Sequence, residues 1–128
     1  MATIREIMTP EPHTVRPGSS VKQALELLIE HDISGLPVVD ADNKIVGVLS
    51  EKDLLKLFSE PRVRTVGSIM TRVPITIDVD APLVEVVDCL MAYGFRRVLI
   101  HEQGKLVGVI SRSDLMPSIL SLLVEPTA

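Results

Sequence analysis

The chain has 128 residues, of which 46% are hydrophobic and 23% are charged, a composition typical of a globular protein rather than a disordered segment. Its formal net charge of −4 argues against nucleic-acid binding, because contacts to phosphate backbones require a basic face. The three aromatic residues, Phe58, Tyr93 and Phe95, are too few for a platform on which bases stack. The composition is compatible with the binding of a small anionic ligand, because a few local arginines suffice for it.

Cysteine and histidine usage predicts neither a disulfide nor a metal site. Cys89 is the single cysteine and is expected to be a small buried hydrophobe, and His13, His31 and His101 follow no zinc-type spacing. The amino-terminal residues lack an apolar core of signal-peptide length, and no apolar stretch is long enough to cross a membrane. We therefore expect a cytoplasmic chain without membrane insertion. Its high mean hydropathy indicates that some apolar surface faces a partner.

A tandem repeat organises the whole chain. The tripeptide I-M-T at residues 7–9 returns at residues 69–71, a shift of 62 positions. The octapeptide GVLSEKDL, residues 47–54, returns as GVISRSDL, residues 108–115, a shift of 61 positions after one deletion. Agreement at a nearly constant offset indicates a duplication. The predicted boundaries are 1–60 for the first repeat, 61–65 for a polar linker and 66–128 for the second repeat.

Each repeat begins with a predicted strand and helix. A short strand is expected around Thr14 in the first repeat and around Thr76 in the second, since β-branched residues favour strands. Apolar residues then recur at the i, i+3, i+4, i+7, i+8 spacing of an amphipathic helix. Ser20 and Gln23 supply a capping-box start for the first of these helices. The apolar positions are Val21, Ala24, Leu25, Leu28 and Ile29 in the first repeat, and Leu83, Val86, Val87, Leu90 and Met91 in the second.

A predicted hairpin and a second helix complete each repeat. Two short apolar runs flank a turn-like segment in both copies, which indicates a β-hairpin. The second run ends at a Ser-x-x-Asp sequence, typical of a helix start. We predict an α/β fold of two β-α-β-β-α units packed with pseudo-two-fold symmetry, because one unit alone has too little core. The apolar residues of the last helix, which serve either the core or a dimer contact, are Leu115, Ile119, Leu122 and Leu123.

The repeated Ser-x-x-Asp has a structural and a functional interpretation. In the structural one, the Ser hydroxyl accepts an N–H of the first helical turn and the Asp favours the positive end of the helix dipole. In the functional one, the Asp accepts hydrogen bonds from the two hydroxyls of a ribose, and free N–H groups meet a phosphate. The two roles are compatible, and the residues alone leave both open.

The order of these segments resembles the CBS motif, named after cystathionine β-synthase. The first repeat carries I-M-T, T-V, a helix, L-P-V-V-D and K-I-V-G-V-L-S-E-K-D-L; the second carries I-M-T, T-I, a helix, R-R-V-L-I and K-L-V-G-V-I-S-R-S-D-L. The resemblance covers nearly the whole chain as a tandem pair. It implies two clefts between packed sheets that bind adenosine-containing ligands such as AMP, ADP, ATP or S-adenosylmethionine. It also implies a homodimer that regulates an attached or partner enzyme or transporter.

The resemblance also implies a set of binding residues. The Asp of each Ser-x-x-Asp is expected to contact the ribose, and the Ser to lie near the ribose or the phosphate. Pro37 is expected to line the adenine slot through backbone groups, whereas the second repeat has Leu99 at this position, which puts its adenine fit in question. The residues implied in this way are Thr14, Pro37, Ser50, Asp53, Thr76, Ser111 and Asp114.

The two repeats differ in charge beside these residues. Where the second repeat has Arg96, Arg97 and Arg112, the first has Ser34, Gly35 and Glu51. Because guanidinium–phosphate contacts are strong and directional, we expect the second repeat to bind the phosphate of AMP, ADP or ATP. Side chains of a strand alternate between its faces, so both strand arginines point into one cleft only if the strand begins after them.

The first repeat offers less positive charge to a ligand. Lys52 and His31 are its nearest candidates. We expect its cleft to stay empty or to take a neutral or cationic adenosine such as S-adenosylmethionine.

The sequence therefore predicts a regulatory ligand-sensing module and not an enzyme. Ser50 and Ser111 lack a G-x-S-x-G setting, and no general base or phosphate-binding glycine loop accompanies them. We expect no catalytic residue, no metal and no cofactor apart from the adenosine ligand itself. One alternative is a structural dimerisation module that binds nothing. Another is an enzyme that uses a nucleotide, for which the sequence shows no catalytic constellation.

Overall fold

The helices and strands form the expected α/β fold around two sheets. The computed structural model describes residues 2–72, 75–93 and 96–123. The helices and strands in chain order are α1 (Ile4–Ile7), β1 (Thr9–Pro10), α2 (Val21–His31), β2 (Gly35–Val39), β3 (Ile45–Ser50), α3 (Glu51–Leu55), α4 (Val66–Ile69), β4 (Thr71–Arg72), β5 (Thr76–Asp78), α5 (Leu83–Tyr93), β6 (Arg97–Glu102), β7 (Lys105–Ser111) and α6 (Met116–Leu122). One sheet has the strand order β1-β7-β6-β5, and the other has the order β2-β3-β4. The predicted β-α-β-β-α order is present in both repeats, although the first strand of the first repeat is reduced to a bridge between Val15 and Val38.

The chain divides into two compact units that cut across the sequence repeats. The central unit comprises Pro12–Pro74 and Gly104–Leu106, and the carboxyl-terminal unit comprises Met1–Glu11, Ile75–Gln103 and Val107–Ala128. Each unit therefore combines the body of one repeat with the I-M-T segment of the other. The predicted repeat boundaries describe copies of sequence, whereas these units describe packing.

In the central unit, the hairpin of β2 and β3 carries β4 on its edge. β2 pairs antiparallel with β3, with Gly35 opposite Ser50, and β3 pairs antiparallel with β4. The predicted linker returns to the start of α2, where Val21 N donates to Arg64 O at 2.8 Å. The buried side chains that form the core of this unit are Val15, Val21, Ala24, Leu28, Leu36, Val38, Leu49, Val66, Ile69 and Met70.

In the carboxyl-terminal unit, the second repeat and the first I-M-T segment form the sheet together. β1 pairs antiparallel with β7, and β5 pairs parallel with β6, with Thr76 opposite Leu99. Arg5 of α1 donates to Glu102 Oε2, at the end of β6, at 2.7 Å. The buried core residues of this unit are Ile4, Ile77, Val79, Leu83, Val86, Cys89, Leu90, Val98, Ile100, Ile110 and Leu115.

The long helix of the first repeat begins as predicted. Gln23 N donates to Ser20 Oγ at 3.0 Å, and Ser20 N donates to Gln23 Oε1 at 3.4 Å, so the capping box is confirmed. The helix ends at Asp32, whose φ of 51° lies in the left-handed region that stops a helix. In the second repeat, Cys89 is buried in α5 as expected, and this burial raises the pKa of its thiol.

The apolar stripes of the two long helices are only partly buried. In α2 the positions i, i+3 and i+7 are buried, whereas Leu25 and Ile29 are 39% and 72% exposed. In α5 Met91, the equivalent of Ile29, is 79% exposed. The periodic pattern thus identifies one apolar face of each helix, and the unit to which the helix belongs covers the larger part of that face.

A glycine in each hairpin allows the I-M-T segment of the other repeat to cross it. A Cβ atom at Gly47 would lie 2.7 Å from the backbone oxygen of Thr71 and 2.9 Å from Sδ of Met70, closer than van der Waals contact allows. At Gly108 a Cβ atom would overlap the side chain of Met8. The glycine shared by GVLSEKDL and GVISRSDL therefore serves close packing of two segments.

Gly47→Ala is expected to lower the free energy of unfolding by about 1–3 kcal/mol, the usual cost of overpacking. The clash includes the backbone oxygen of Thr71, which cannot move without shifting β4. Gly18→Ala is the matched control, because a Cβ atom there meets nothing within 4 Å and should change stability by about 0.5 kcal/mol or less. Urea denaturation measures both variants, and equal stabilities would contradict the crossing.

Candidate ligand-binding site

Both Ser-x-x-Asp sequences lie where the second hairpin strand ends and a helix begins. Ser50 ends β3 and caps α3: its Oγ accepts from Asp53 N at 3.3 Å, and its N–H donates to Asp53 Oδ2 at 3.0 Å. In the second repeat, Ser111 N donates to Asp114 Oδ2 at 2.7 Å. There a 3₁₀ turn, Arg112–Leu115, precedes α6. The predicted helix start is thus confirmed in both repeats, with a tighter first turn in the second.

Asp53 is the only buried charged residue in the described part of the chain, and it is 3% exposed. The Thr71 hydroxyl of β4 donates to its Oδ1 at 3.1 Å, and Lys56 Nζ lies 3.5 Å from the same oxygen. The Ser50 hydroxyl donates to Oδ2 at 3.1 Å. We call Ser50, Asp53, Lys56 and Thr71 the Asp53 cluster. It joins the hairpin, the following helix and the exchanged strand through one carboxylate.

Asp114, the equivalent of Asp53, is less buried and has fewer partners. The N–H and the hydroxyl of Ser111 donate to its Oδ2 at 2.7 and 3.0 Å. No group within 2–72, 75–93 or 96–123 donates to its Oδ1. Thr9 is the equivalent of Thr71 and is exposed like it, but Thr9 forms no side-chain hydrogen bond with those residues. One oxygen of Asp114 can therefore accept hydrogen bonds from a ligand.

The three candidate arginines lie at the same end of the second hairpin. Arg112 N donates to Arg96 O at 3.4 Å, and Arg97 is the first residue of β6. The equivalent bond in the first repeat joins Glu51 N to Ser34 O at 3.1 Å. The substituted positions therefore have the same backbone geometry, and the two repeats differ there in charge. Because Arg96 precedes the strand, strand alternation does not force it away from Arg97.

The remaining candidates lie in the first two strands of each repeat. Thr14 precedes Val15, whose N–H donates to the carbonyl of buried Pro37 at 3.1 Å. In the second repeat, Thr76 lies opposite Leu99 in the parallel pair of β5 and β6. The structure thus brings each threonine beside the proposed adenine position of its own repeat. The ligand contacts of these residues stay predictions.

Two residues of the Asp53 cluster were missed by the sequence analysis. Thr71 belongs to the recognised I-M-T tripeptide, but the repeat pattern does not show that this segment joins the other repeat's sheet. Lys56 has a local signal, because it follows Asp53 at the i, i+3 spacing of neighbours on a helix. Lys52, the cation expected in the first repeat, is exposed like Lys56. The ring of His31, the other candidate, stacks on another histidine at a centroid distance of 3.9 Å.

The described residues contain no group of three or more metal-ligating side chains. The two stacked histidines, His13 and His31, have nearly parallel rings, with an interplanar angle of 19°.

Among the helices of the same described segments, none combines the length and the apolar character needed to cross a bilayer.

The match to a family model covers both repeats. The model of the CBS domain matches residues 4–60 and again residues 66–121. The chain therefore belongs to the CBS domain family, as a tandem pair. This confirms the resemblance that the order of its motifs indicated.

Individual relatives support the same assignment. The CBS domain-containing protein CBSX1, chloroplastic, of Arabidopsis thaliana is 31% identical over 94% of this chain, which spans 65% of that protein. Among solved structures, CBSX2 of Arabidopsis thaliana in complex with AMP is 34% identical, with a TM-score of 0.85 over 95% of this chain and 98% of that one. The CBS domain pair of protein MJ0100, in complex with 5′-methylthioadenosine and S-adenosyl-L-methionine, is 27% identical, with a TM-score of 0.82 and coverage of 95% and 98%.

The contacts of Asp53 predict unequal roles for the two I-M-T threonines. Thr71→Val removes a hydroxyl that donates to a buried carboxylate, so we expect the free energy of unfolding to fall by about 1–3 kcal/mol. Thr9→Val, at the equivalent position, should change it by about 0.5 kcal/mol or less. Chemical denaturation compares the two variants, and losses of equal size would show that the clusters are alike.

Proposed function

We propose that the chain is a regulatory sensing module that binds an adenine nucleotide at the Ser111–Asp114 sequence. The observation that carries this proposal is the charge of that copy. Arg96, Arg97 and Arg112 lie at the end of its hairpin, at positions where the first repeat has two uncharged residues and one acidic residue.

The arginines suit a phosphate group. Guanidinium groups keep their charge at all physiological pH values and bind phosphate through two parallel hydrogen bonds. Arg112 forms no ion pair with any residue of the described segments, so its charge is available to a ligand. Because the chain as a whole has a net charge of −4, the positive charge is local. A local cluster favours a small anion over a nucleic-acid backbone.

Asp114 supplies the complementary contact to a ribose. Its Oδ2 is held by Ser111, and its Oδ1 can accept hydrogen bonds from ribose hydroxyls. Adenine joined to a ribose ring is also the part shared by the ligands in the CBSX2 and MJ0100 structures. We therefore propose AMP, ADP or ATP, with S-adenosylmethionine as the unphosphorylated candidate and with Thr76 beside the adenine.

Ligand binding is proposed to regulate a partner and not to start a reaction. The hydroxyl of Ser111 is held within the helix start by Asp114 Oδ2 at 3.0 Å and Ser113 Oγ at 2.9 Å, which suits a positioning role and not a nucleophile. A ligand that binds two conformations unequally shifts their populations by its difference in affinity. An enzyme or transporter in contact with the chain would respond to that shift. The cytoplasmic location of the chain stays a prediction.

Calorimetric titration with AMP, ADP, ATP and S-adenosylmethionine tests this proposal. We expect a phosphorylated ligand to bind the wild type, and Arg97→Ala and Arg112→Ala each to weaken binding by about tenfold or more, because each removes a charge-assisted hydrogen bond. Arg62→Ala is the matched control, since Arg62 is an exposed arginine of the linker, and its affinity should equal that of the wild type. Circular dichroism verifies that every variant is folded.

The same titrations separate the alternatives. Unchanged affinity in Arg96→Ala, Arg97→Ala and Arg112→Ala would contradict the phosphate assignment. Absence of both heat and thermal shift with all four ligands would favour a structural dimerisation module. Conversion of a bound nucleotide, detected by chromatography after incubation, would favour an enzyme.

We also propose a homodimer, because the last helix exposes most of its apolar residues. Leu115, which was predicted in the last helix, lies in the 3₁₀ turn before α6, is 8% exposed and belongs to the core, whereas Ile119 and Leu122 of α6 are 45% and 72% exposed. Leu120 and Leu123 beside them are similarly exposed. Several exposed apolar side chains close together on one helix are typical of an interaction site. The sequence allowed either a core role or a dimer role for the apolar residues of the last helix. In the structure Leu115 belongs to the core, and the other residues of this set are exposed.

Leu122→Glu is expected to shift the chain from dimer to monomer, because it places a charge in the proposed interface. Size-exclusion chromatography with light scattering measures the mass of each species. Leu55→Glu is the control, since Leu55 is comparably exposed, at 61%, but lies in α3. A wild-type chain that is monomeric at micromolar concentration would contradict the homodimer.

A further inference from the structure

We infer that the chain binds one nucleotide, at the Ser111–Asp114 sequence, and that the Ser50–Asp53 sequence is an internal structural contact. This inference rests on the proposed function and adds its stoichiometry. It follows from the Asp53 cluster, in which the carboxylate expected to contact a ribose already accepts hydrogen bonds from the chain's own donors.

The carboxylate of Asp53 is saturated with hydrogen bonds. Each carboxylate oxygen accepts about two. Oδ1 lies 3.1 Å from the Thr71 hydroxyl and 3.5 Å from Lys56 Nζ, and Oδ2 accepts from the N–H and the hydroxyl of Ser50 at 3.0 and 3.1 Å. The residue is also 3% exposed. A ribose could therefore reach this carboxylate only by displacing the chain's own donors.

The second repeat lacks both of the additional donors. Pro117 stands where the first repeat has Lys56, and its ring carries no hydrogen-bond donor. Thr9 stands where Thr71 would be. Both threonines are exposed, but Thr9 donates to nothing in the part of the chain that the structure describes. Asp114 therefore accepts from Ser111 as Asp53 accepts from Ser50, but among the described residues its Oδ1 has no equivalent of the contacts that Thr71 and Lys56 make with Oδ1 of Asp53.

In the first repeat, a ribose that displaced the chain's own donors would gain few hydrogen bonds to Asp53. Its two hydroxyls would replace the hydroxyl of Thr71 and the ammonium of Lys56, so the number of hydrogen bonds would not rise. The displacement would also remove the contact that holds β4 to the helix start. Where the other copy has Arg112, this copy has Glu51, so it lacks the guanidinium group that would bind a phosphate there.

Calorimetric titration of the full chain with AMP and with ATP gives the number of ligands bound per chain. We expect one in the wild type and no detectable binding in Asp114→Asn. Thr71→Val keeps the size and shape of the side chain, and we expect it to retain one ligand per chain with an affinity within about twofold of the wild type. Its unfolding temperature should fall below that of Thr9→Val, measured in parallel.

The outcomes distinguish this inference from the proposal on which it rests. Two ligands per wild-type chain would overturn the inference and leave the proposed function intact. A tenfold loss of affinity in folded Thr71→Val would do the same, because Thr71 would then contact the ligand. No binding by the wild type would overturn both. One ligand per chain, lost in Asp114→Asn and kept in Thr71→Val, supports the inference.

Discussion

The crossing of each I-M-T segment over a glycine in the other repeat's hairpin is the contact on which the rest of the structure depends. At Gly47 the backbone oxygen of Thr71 approaches so closely that any side chain would collide with it. This crossing makes β4 the edge strand of the central unit, and only in that position does the hydroxyl of Thr71 reach Asp53. In the carboxyl-terminal unit the crossing at Gly108 places β1 on β7. One glycine per repeat thus allows the close packing of the exchanged segment, and in the central unit this packing also brings a donor to the neighbouring Ser-x-x-Asp.

Most of the fold could be predicted from the sequence because its signals are local. The capping box at Ser20, the hairpins and the helix start at Ser50 each depend on residues a few positions apart. The exchange of the I-M-T segments has no local signal, since a repeat shows two copies of a segment without showing which sheet each copy joins. The apolar pattern has a similar limit. It includes Leu25 and Ile29, but it does not show that these two positions of the apolar face lie outside the core.

The residue types of the candidate site, and the difference in charge between the two repeats beside it, could be predicted because the repeats can be aligned with each other. The alignment sets Arg112 against Glu51, and the shared backbone hydrogen bond confirms that these positions are equivalent. The different surroundings of the two aspartates were harder to predict. Lys56 lies one helical turn from Asp53 and has a sequence signal, whereas Thr71 lies on another strand and reaches Asp53 only through the fold.

A helix cap and a ligand contact are compatible in one residue because a carboxylate has two oxygens. In both repeats Oδ2 accepts from the N–H of the Ser that begins the sequence, and this bond fixes the aspartate against the helix start. The cap does not require Oδ1. After a duplication, the partner of that oxygen can therefore change while the helix start is kept. In the first repeat Oδ1 contacts Thr71 and Lys56, and on this ground we infer a structural role for that aspartate. In the second repeat the chain's own donors meet Oδ2, so under the proposed function one side chain would serve as both the cap and the ribose contact.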